Sequence, residues 1–252
     1  MKTPSVHIAG KARGFHRPGL LGREPSLFRE YFTDMILQDG RLGGDVLDAG
    51  CGTSGPDNTD IQRVYDTIGT LDGVDPASPD EGVDVSRWYR ERWTGMPQDV
   101  GIPREAYDAV ISFNVLEHVD DPAVYMTTCV DALKPGGVMY AYGPHGLHPF
   151  AVCVRLVERL SDKRKLLDAT NTVGNDYPAY YRLSTRRRLE KAVRGLPVES
   201  IEVHYHPSLQ WKSYFPSSMK WMPWIYDRAI GVHCKGIAQQ FFFKLEKSKD
   251  VT

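Results

Sequence analysis

The chain has 252 residues, of which 41% are hydrophobic and 25% are charged, and its formal net charge is −1. This composition is typical of a globular protein and excludes collagen, coiled coil and extended disorder. Charge is unevenly distributed, because residues 1–150 have 13 basic against 22 acidic side chains and residues 151–252 have 18 against 10. The split indicates either a basic surface for an anionic partner or simply one acidic and one basic face.

Targeting signals and cysteine pairs are the next features to consider. The first 25 residues have no apolar core of a signal peptide, and Arg155, Glu158 and Arg159 interrupt the apolar run at 149–160, so we expect no membrane span. The cysteines lie far apart, with no CxxC pair and no histidine at zinc-finger spacing. We therefore expect no disulfide framework, no metal site and a reducing, cytoplasmic compartment.

The first predicted segment is an irregular arm over residues 1–25, which is rich in glycine and basic residues. The spacing of apolar residues predicts a helix that begins at Ser26 and ends at Gly40. From Asp45 onward, short apolar runs alternate with helical stretches, which predicts a largely parallel sheet covered on both faces; these runs are VLDAG, LDGVDP, YDAVISF and GGVMYAYGP. Further helices are predicted over 149–168 and 183–194, and two further strands at VESIEVHYH and IAQQFFFKLE.

A glycine-rich segment follows the first predicted strand directly. Gly50, Gly52 and Gly55 have GxGxxG spacing, and bare glycine backbone lets a loop turn tightly and touch a ligand that any side chain would displace. Alone, this pattern suits a dinucleotide, S-adenosylmethionine (SAM) or a simple surface turn. Asp48 precedes the loop, where its carboxylate would pair with the ammonium group of SAM but repel a pyrophosphate.

The later motifs help to decide which ligand the glycine-rich segment binds. Asp75 ends the second apolar run, 23 residues after Gly52, where a carboxylate can accept hydrogen bonds from the ribose of either cofactor. The segments YDAVISFNVLEHVDDP and LKPGGVMYAYGP are not typical of dehydrogenases. Together the four motifs, over Asp45 to Pro144, resemble class I SAM-dependent methyltransferases that act on small molecules.

This resemblance implies an α/β fold, a doubly wound, mostly parallel seven-stranded Rossmann-like sheet with the last strand antiparallel. VESIEVHYH and IAQQFFFKLE would then form the closing hairpin. The whole chain, 1–252, is expected to be one methyltransferase domain, with a SAM-binding core at 26–144 and acceptor-side insertions at 145–195 and 207–235, after strands 5 and 6. The aromatic part of the second insertion would form a lid over an apolar acceptor, an oligomer contact, a membrane-surface patch or part of the core.

By the same resemblance, one set of residues binds SAM, the product being S-adenosylhomocysteine. The methionine part lies at the loop after strand 1, the ribose at the end of strand 2, and the methyl-transfer centre after strand 4; the residues are Asp48, Gly50, Cys51, Gly52, Asp75, Pro76, Asn114 and Val115. A side chain at Gly50 would occupy the ligand's space. The adenine contact stays open among Asp84, Trp88 and Trp93.

The catalytic candidates are His145, His148, Tyr181 and Arg182. Both histidines follow the fifth strand, at the sheet edge where open α/β folds bind ligands, and histidine is the first candidate for a general base. Tyr181 and Arg182 precede a basic helix capped by Ser184, whose arginines would favour an anionic group. The alternative is that these arginines are solvated or paired with acids, and that the histidines only pack their loop.

We therefore expect methyl transfer from SAM to an oxygen, in preference to a nitrogen, of a small-molecule or saccharide-containing acceptor with anionic character. The alternatives are an NAD-dependent oxidoreductase, against which Asp48 argues, and a SAM-binding protein without catalysis. Nucleic acid is disfavoured as a partner because the isoelectric point is near 6.7 and no binding module is recognisable. The sequence leaves the oligomeric state open.

Overall fold

The computed structural model describes residues 28–56, 59–149, 151, 152, 155, 178–206, 218, 221, 225, 238 and 240–249. Seven strands form one sheet in the order β3-β2-β1-β4-β5-β7-β6. Their bounds are β1 Asp45–Ala49, β2 Thr70–Asp75, β3 Glu91–Thr94, β4 Tyr107–Phe113, β5 Leu133–Pro144, β6 Val198–His206 and β7 Gln240–Lys247. The helices are α1 Phe28–Asp39, α2 Thr59–Tyr65, α3 Pro122–Ala132 and α4 Arg186–Ala192, with a 3-10 turn at Val85–Arg87.

The predicted sheet is confirmed, including its closing hairpin. Strands β1 to β5 pair in parallel, whereas β7 lies antiparallel to both β5 and β6. Chain order reverses at β1, which has β2 on one side and β4 on the other. In an open α/β sheet the loops at such a point diverge and leave a crevice at the carboxyl ends of the strands. The fold therefore places the ligand crevice beside the glycine-rich loop.

Two apolar clusters cover the two faces of the sheet. One lies under α3 and α4 and contains Met126, Leu189 and Phe243; the other lies under α1 and α2 and contains Ile36, Val64 and Phe242. Helix α4 differs from expectation at its start, because Thr185 and not Ser184 is the cap and its side chain accepts the Arg188 amide. The predicted start at Ser26, the arm at 1–25 and most of the two insertions lie outside the described residues. No helix in the described ranges is long and apolar enough to span a bilayer.

Helix α1 is fixed to the sheet by aromatic packing. The Phe32 ring stacks on Phe242 of β7 with the ring centroids 4.5 Å apart and on Tyr142 of β5 at 5.6 Å. Only 1% of Phe32 is exposed. Because these rings bridge two neighbouring strands, the contact couples the helix to the junction between the parallel and antiparallel parts of the sheet.

Phe32→Ala should lower the free energy of unfolding by about 3 to 5 kcal/mol, the usual cost of removing a buried phenyl ring. Urea denaturation followed by circular dichroism measures the change. The matched control is Val124→Ala on α3, where the side chain is 41% exposed and the expected change is within about 0.5 kcal/mol. Equal stability of the two variants would show that α1 does not anchor the sheet.

Candidate active site

The loop after β1 is tied to the end of β2 by backbone hydrogen bonds. The amides of Gly50 and Cys51 both donate to the Val74 carbonyl, at 2.8 and 3.2 Å, and the Gly52 amide donates to Asp75 Oδ2 at 2.9 Å. The other Asp75 oxygen accepts the Ala77 amide at 2.8 Å. Each carboxylate oxygen keeps a second lone pair, so Asp75 can still accept hydroxyl groups of a ligand.

Gly50 and Gly52 are needed for different reasons. Both have positive φ, +101° and +70°, which only glycine adopts without strain. A Cβ at Gly50 would lie 2.1 Å from Val115 Cγ2, so the obstacle to a side chain there is Val115 and not only ligand space. A Cβ at Gly52 would have no atom within 4 Å. The bare backbone of Gly52 therefore faces open space beside Asp75, as a cradle for a ribose or methionine group requires.

Asp48 lies beneath this loop and is only 2% exposed. Its Oδ2 accepts hydrogen bonds from the hydroxyls of Tyr65, at 2.7 Å, and Tyr89, at 3.1 Å. Burial raises the pKa of Asp48 to about 7, although these two hydrogen bonds oppose the shift. A buried carboxyl of this kind becomes a favourable partner for a cationic group that enters the site.

The segment after β4 completes this side of the site. Asn114 is exposed and has a left-handed backbone, φ +58°, with its amide donating to the Tyr142 carbonyl at 2.9 Å. Val115 packs beside Gly50, and Pro76 is exposed after β2. The structure thus brings all eight expected SAM-site residues to one edge of the sheet, at the ends of β1, β2 and β4. Their contact with SAM itself stays a prediction.

The adenine candidates occupy three different environments. Asp84 caps the 3-10 turn by accepting the Ser86 amide, and Trp93 packs against the core under α3. Trp88 lies against the glycine-rich loop, where a Cβ at Gly55 would be 2.6 Å from its ring. Of the three, Trp88 is the one in contact with that loop.

The four catalytic candidates lie near the end of β5 and on the segment before α4. His145 is buried against Tyr205 and Phe241, and its Nδ1 is 3.1 Å from the Ala238 carbonyl. Burial lowers the pKa of both His145 and His148 to about 4. Each histidine is therefore neutral at pH 7 but a weak proton acceptor.

Tyr181 and Arg182 connect this segment to the loop after β4. The Tyr181 amide donates to the Glu117 carbonyl at 2.8 Å, with a left-handed φ of +53° at Tyr181. Arg182 is exposed and its guanidinium pairs with Asp120. The β5 turn reaches the same segment, because the Gly146 amide donates to the Ser184 carbonyl at 2.8 Å. The acceptor-side candidates therefore share one end of the molecule, and their catalytic roles stay predictions.

The basic run before and within α4 is partly used in internal contacts. Arg186 pairs with Glu190 one turn later at 2.7 Å, and Arg188 donates to the Tyr181 carbonyl. Arg187 is exposed. The described part of the chain also has no group of three or more His, Cys, Asp or Glu side chains arranged to hold a metal ion.

Arg92 is a site residue that the sequence does not indicate. From β3 its Nη2 donates to the Gly52 carbonyl at 2.8 Å and to the Ala77 carbonyl at 2.7 Å, and Nη1 donates to Thr94 Oγ1 at 3.2 Å. One guanidinium thus joins the loops after β1 and β2. Its partners are backbone carbonyls far away in the sequence, so no local motif marks this role.

The chain matches a known family over its amino-terminal half. Residues 23–142 match the sequence model of a methyltransferase domain. With the seven-stranded sheet and its antiparallel β7, this match confirms that the chain contains a class I methyltransferase domain of the SAM-dependent, Rossmann-like type. It also favours SAM over the dinucleotide alternative.

Individual relatives agree with this class. A ubiquinone biosynthesis O-methyltransferase of Dinoroseobacter shibae is 32% identical over 118 residues, which cover 44% of this chain and 45% of the relative. One of Paramagnetospirillum magneticum is 32% identical over 130 residues, 49% of this chain and 45% of the relative. The chain spans about half the length of these curated relatives. The phosphoethanolamine N-methyltransferase 2 of Haemonchus contortus, solved with SAM, shares the fold at a TM-score of 0.55 and 15% identity, covering 86% of this chain and 52% of that one.

Arg92→Met should weaken SAM binding about tenfold, because hydrogen bonds from a charged donor to two loops contribute about 1.5 to 3 kcal/mol each and water restores part of the loss. Isothermal titration calorimetry measures the affinity. Arg63→Met is the control, since Arg63 is exposed and pairs with Asp34 away from the glycine-rich loop. If Arg92→Met binds SAM as tightly as Arg63→Met, the hydrogen bonds from Arg92 to the two loops do not contribute to SAM binding.

Proposed function

We propose that this protein transfers the methyl group of SAM to an oxygen atom of a small-molecule acceptor. The observation that supports it most is the open backbone of Gly52 beside the Asp75 carboxylate, in a domain of the methyltransferase family. The relatives named above are O-methyltransferases, which favours oxygen over nitrogen as the acceptor atom. A saccharide-containing or anionic acceptor and a cytoplasmic location are finer predictions from the sequence.

The residues around the crevice have distinct tasks in this function. Asp75 accepts the ribose hydroxyls, Asp48 pairs with the ammonium group, and Asn114 and Val115 border the reacting methyl. SAM, when bound, supplies an electrophilic methyl group. The protein's contribution is to hold the acceptor in line with that methyl and to exclude water, since positioning accounts for much of the acceleration of such transfers.

The function is tested with SAM and three acceptor probes: catechol, glucose and ethanolamine. Transfer of labelled methyl to catechol or glucose supports O-methylation, and transfer to ethanolamine alone would replace it with N-methylation. If SAM binds and none of the probes is methylated, the non-catalytic alternative gains support. If calorimetry shows that the protein binds NAD and not SAM, the result would support the oxidoreductase alternative.

Asp75→Ala should weaken SAM binding by about 1.5 to 3 kcal/mol, the range for hydrogen bonds to a charged group. Calorimetry on the folded variant measures the dissociation constant. Asp66→Ala is the matched control, because Asp66 is exposed and its carboxylate accepts a local hydrogen bond from Gln62. An unchanged dissociation constant for Asp75→Ala would remove Asp75 from the site.

SAM binding should also depend on pH through Asp48. Because burial raises the pKa of Asp48 to about 7, the carboxyl is protonated below that pH and must lose its proton before it pairs with an ammonium group. Affinity should therefore fall by up to about tenfold per pH unit below pH 7 and level off above it. Calorimetry at several pH values tests this, with Asp48→Asn as the variant in which the dependence disappears. If the SAM affinity of wild type and of Asp48→Asn depends equally on pH, a group other than Asp48 causes the dependence.

A further inference from the structure

Glu117 is a buried carboxyl group that the functions assigned above do not use. It lies three residues after Asn114 on the segment between β4 and α3 and is 8% exposed. Its Oε2 lies against β5, only 2.9 Å from where a Cβ at Gly143 would stand. Its backbone carbonyl accepts the Tyr181 amide. Glu117 therefore stands where the β4 loop, the end of β5 and the segment before α4 meet.

The Oε2 atom is fully buried and has no hydrogen-bond partner among the described residues. None of the titratable groups that face Glu117 in the described residues forms a hydrogen bond with Oε2. His118 on its own loop places Nε2 3.9 Å from Oε1, Tyr142 faces it from β5, and Arg182 on the segment before α4 is paired with Asp120. Burial of a carboxyl oxygen away from water and without a hydrogen-bond partner costs folding free energy. A purely structural role therefore does not explain the position of Glu117.

The protonation behaviour of Glu117 suits proton transfer better than that of the neighbouring histidines. Burial raises the pKa of Glu117 to about 7, whereas burial lowers the pKa of His145 and His148 to about 4. A general base works best when its pKa is close to the working pH. At neutral pH a large fraction of Glu117 is ionised, and it is still basic enough to take a proton.

We propose that the Glu117 carboxylate receives the proton of the acceptor hydroxyl during methyl transfer, an inference that rests on the proposed O-methylation. The acceptor oxygen forms a bond to the methyl carbon as the carbon–sulfur bond breaks and its electron pair returns to sulfur. The O–H bond breaks and its proton passes to Glu117. The products are the methylated acceptor, S-adenosylhomocysteine and a neutral Glu117, which returns its proton to solvent after release.

The test compares Glu117→Gln, which keeps the shape but cannot titrate, with Glu117→Asp. With catechol as the probe, Glu117→Gln should lose about 100-fold or more in kcat. The fall of wild-type kcat below about pH 7 should disappear in the same variant, and Glu117→Asp should recover part of the rate and keep an acid limb. The calorimetric affinity for SAM should stay within about twofold of wild type, because the change concerns the acceptor. Glu199→Gln, at an exposed position of β6, should behave as wild type.

Two results would overturn the proposal. One is a Glu117→Gln variant that keeps the wild-type kcat and pH profile. The other comes from difference infrared spectra of the SAM-bound protein, which do not require turnover. A band of a protonated carboxyl should weaken as pH rises through about 7 in wild type, and the part of that band that belongs to Glu117 should be missing in Glu117→Gln while the part that belongs to Asp48 remains; a Glu117 that stays ionised to about pH 5 contradicts the assignment. Failure of all three acceptor probes counts instead against the proposed function, and the infrared spectra still test the titration of Glu117 near pH 7 on which its proposed role depends.

Discussion

The site depends on the way three successive amides, those of Gly50, Cys51 and Gly52, bind to the last two residues of β2. This pairing requires the chain to turn immediately after β1, and the turn requires positive φ at both glycines. Because the turn is so tight, the loop packs directly on Val115, two residues after the end of β4. The ends of three strands are thereby fixed relative to one another before any ligand binds, which is the preorganisation that methyl transfer needs.

Two buried acids, Asp48 at the end of β1 and Glu117 after β4, have different surroundings. Asp48 is held by two tyrosine hydroxyls under the glycine-rich loop, whereas Glu117 has an oxygen without a partner against β5. Burial raises the pKa of both groups to about 7. The same chemical group thus suits the two tasks proposed above, pairing of Asp48 with an ammonium group and acceptance of a proton by Glu117, and the neighbouring groups distinguish the two.

Most of the sheet could be predicted from the sequence, because strands and glycine turns are marked by local patterns. VLDAG and YDAVISF are nearly continuous apolar runs, as strands buried on both faces require. The antiparallel order of β6 and β7 was available only through the family resemblance, since pairing between distant strands leaves no local signal. The cap of α4 was assigned to Ser184 instead of Thr185 because both residues can cap, and only the turn geometry chooses between them.

The parts of the site that escaped prediction have contacts over long sequence distances. Arg92 binds carbonyl groups 40 and 15 residues away, and a carbonyl has no residue-type signature. Glu117 lies in the segment YDAVISFNVLEHVDDP, but its burial against Gly143 depends on how the loop after β4 packs on β5. The shared location of the eight expected cofactor residues, in contrast, could be predicted because each lies at the end of a strand or directly after it, and parallel strands bring their ends to one edge.

The position of β7 has a consequence for how the chain is made. β7 lies between β5 and β6 although it follows both in the sequence, and three consecutive phenylalanines, 241–243, are buried in it. A nascent chain that has emerged only through β6 lacks the strand that joins β6 to the rest. Until β7 arrives, the backbone edge of β5 and the apolar surfaces that cover those phenyl rings are open to other chains. Biosynthesis of this protein therefore includes a stage at which the partly formed sheet is prone to aggregation.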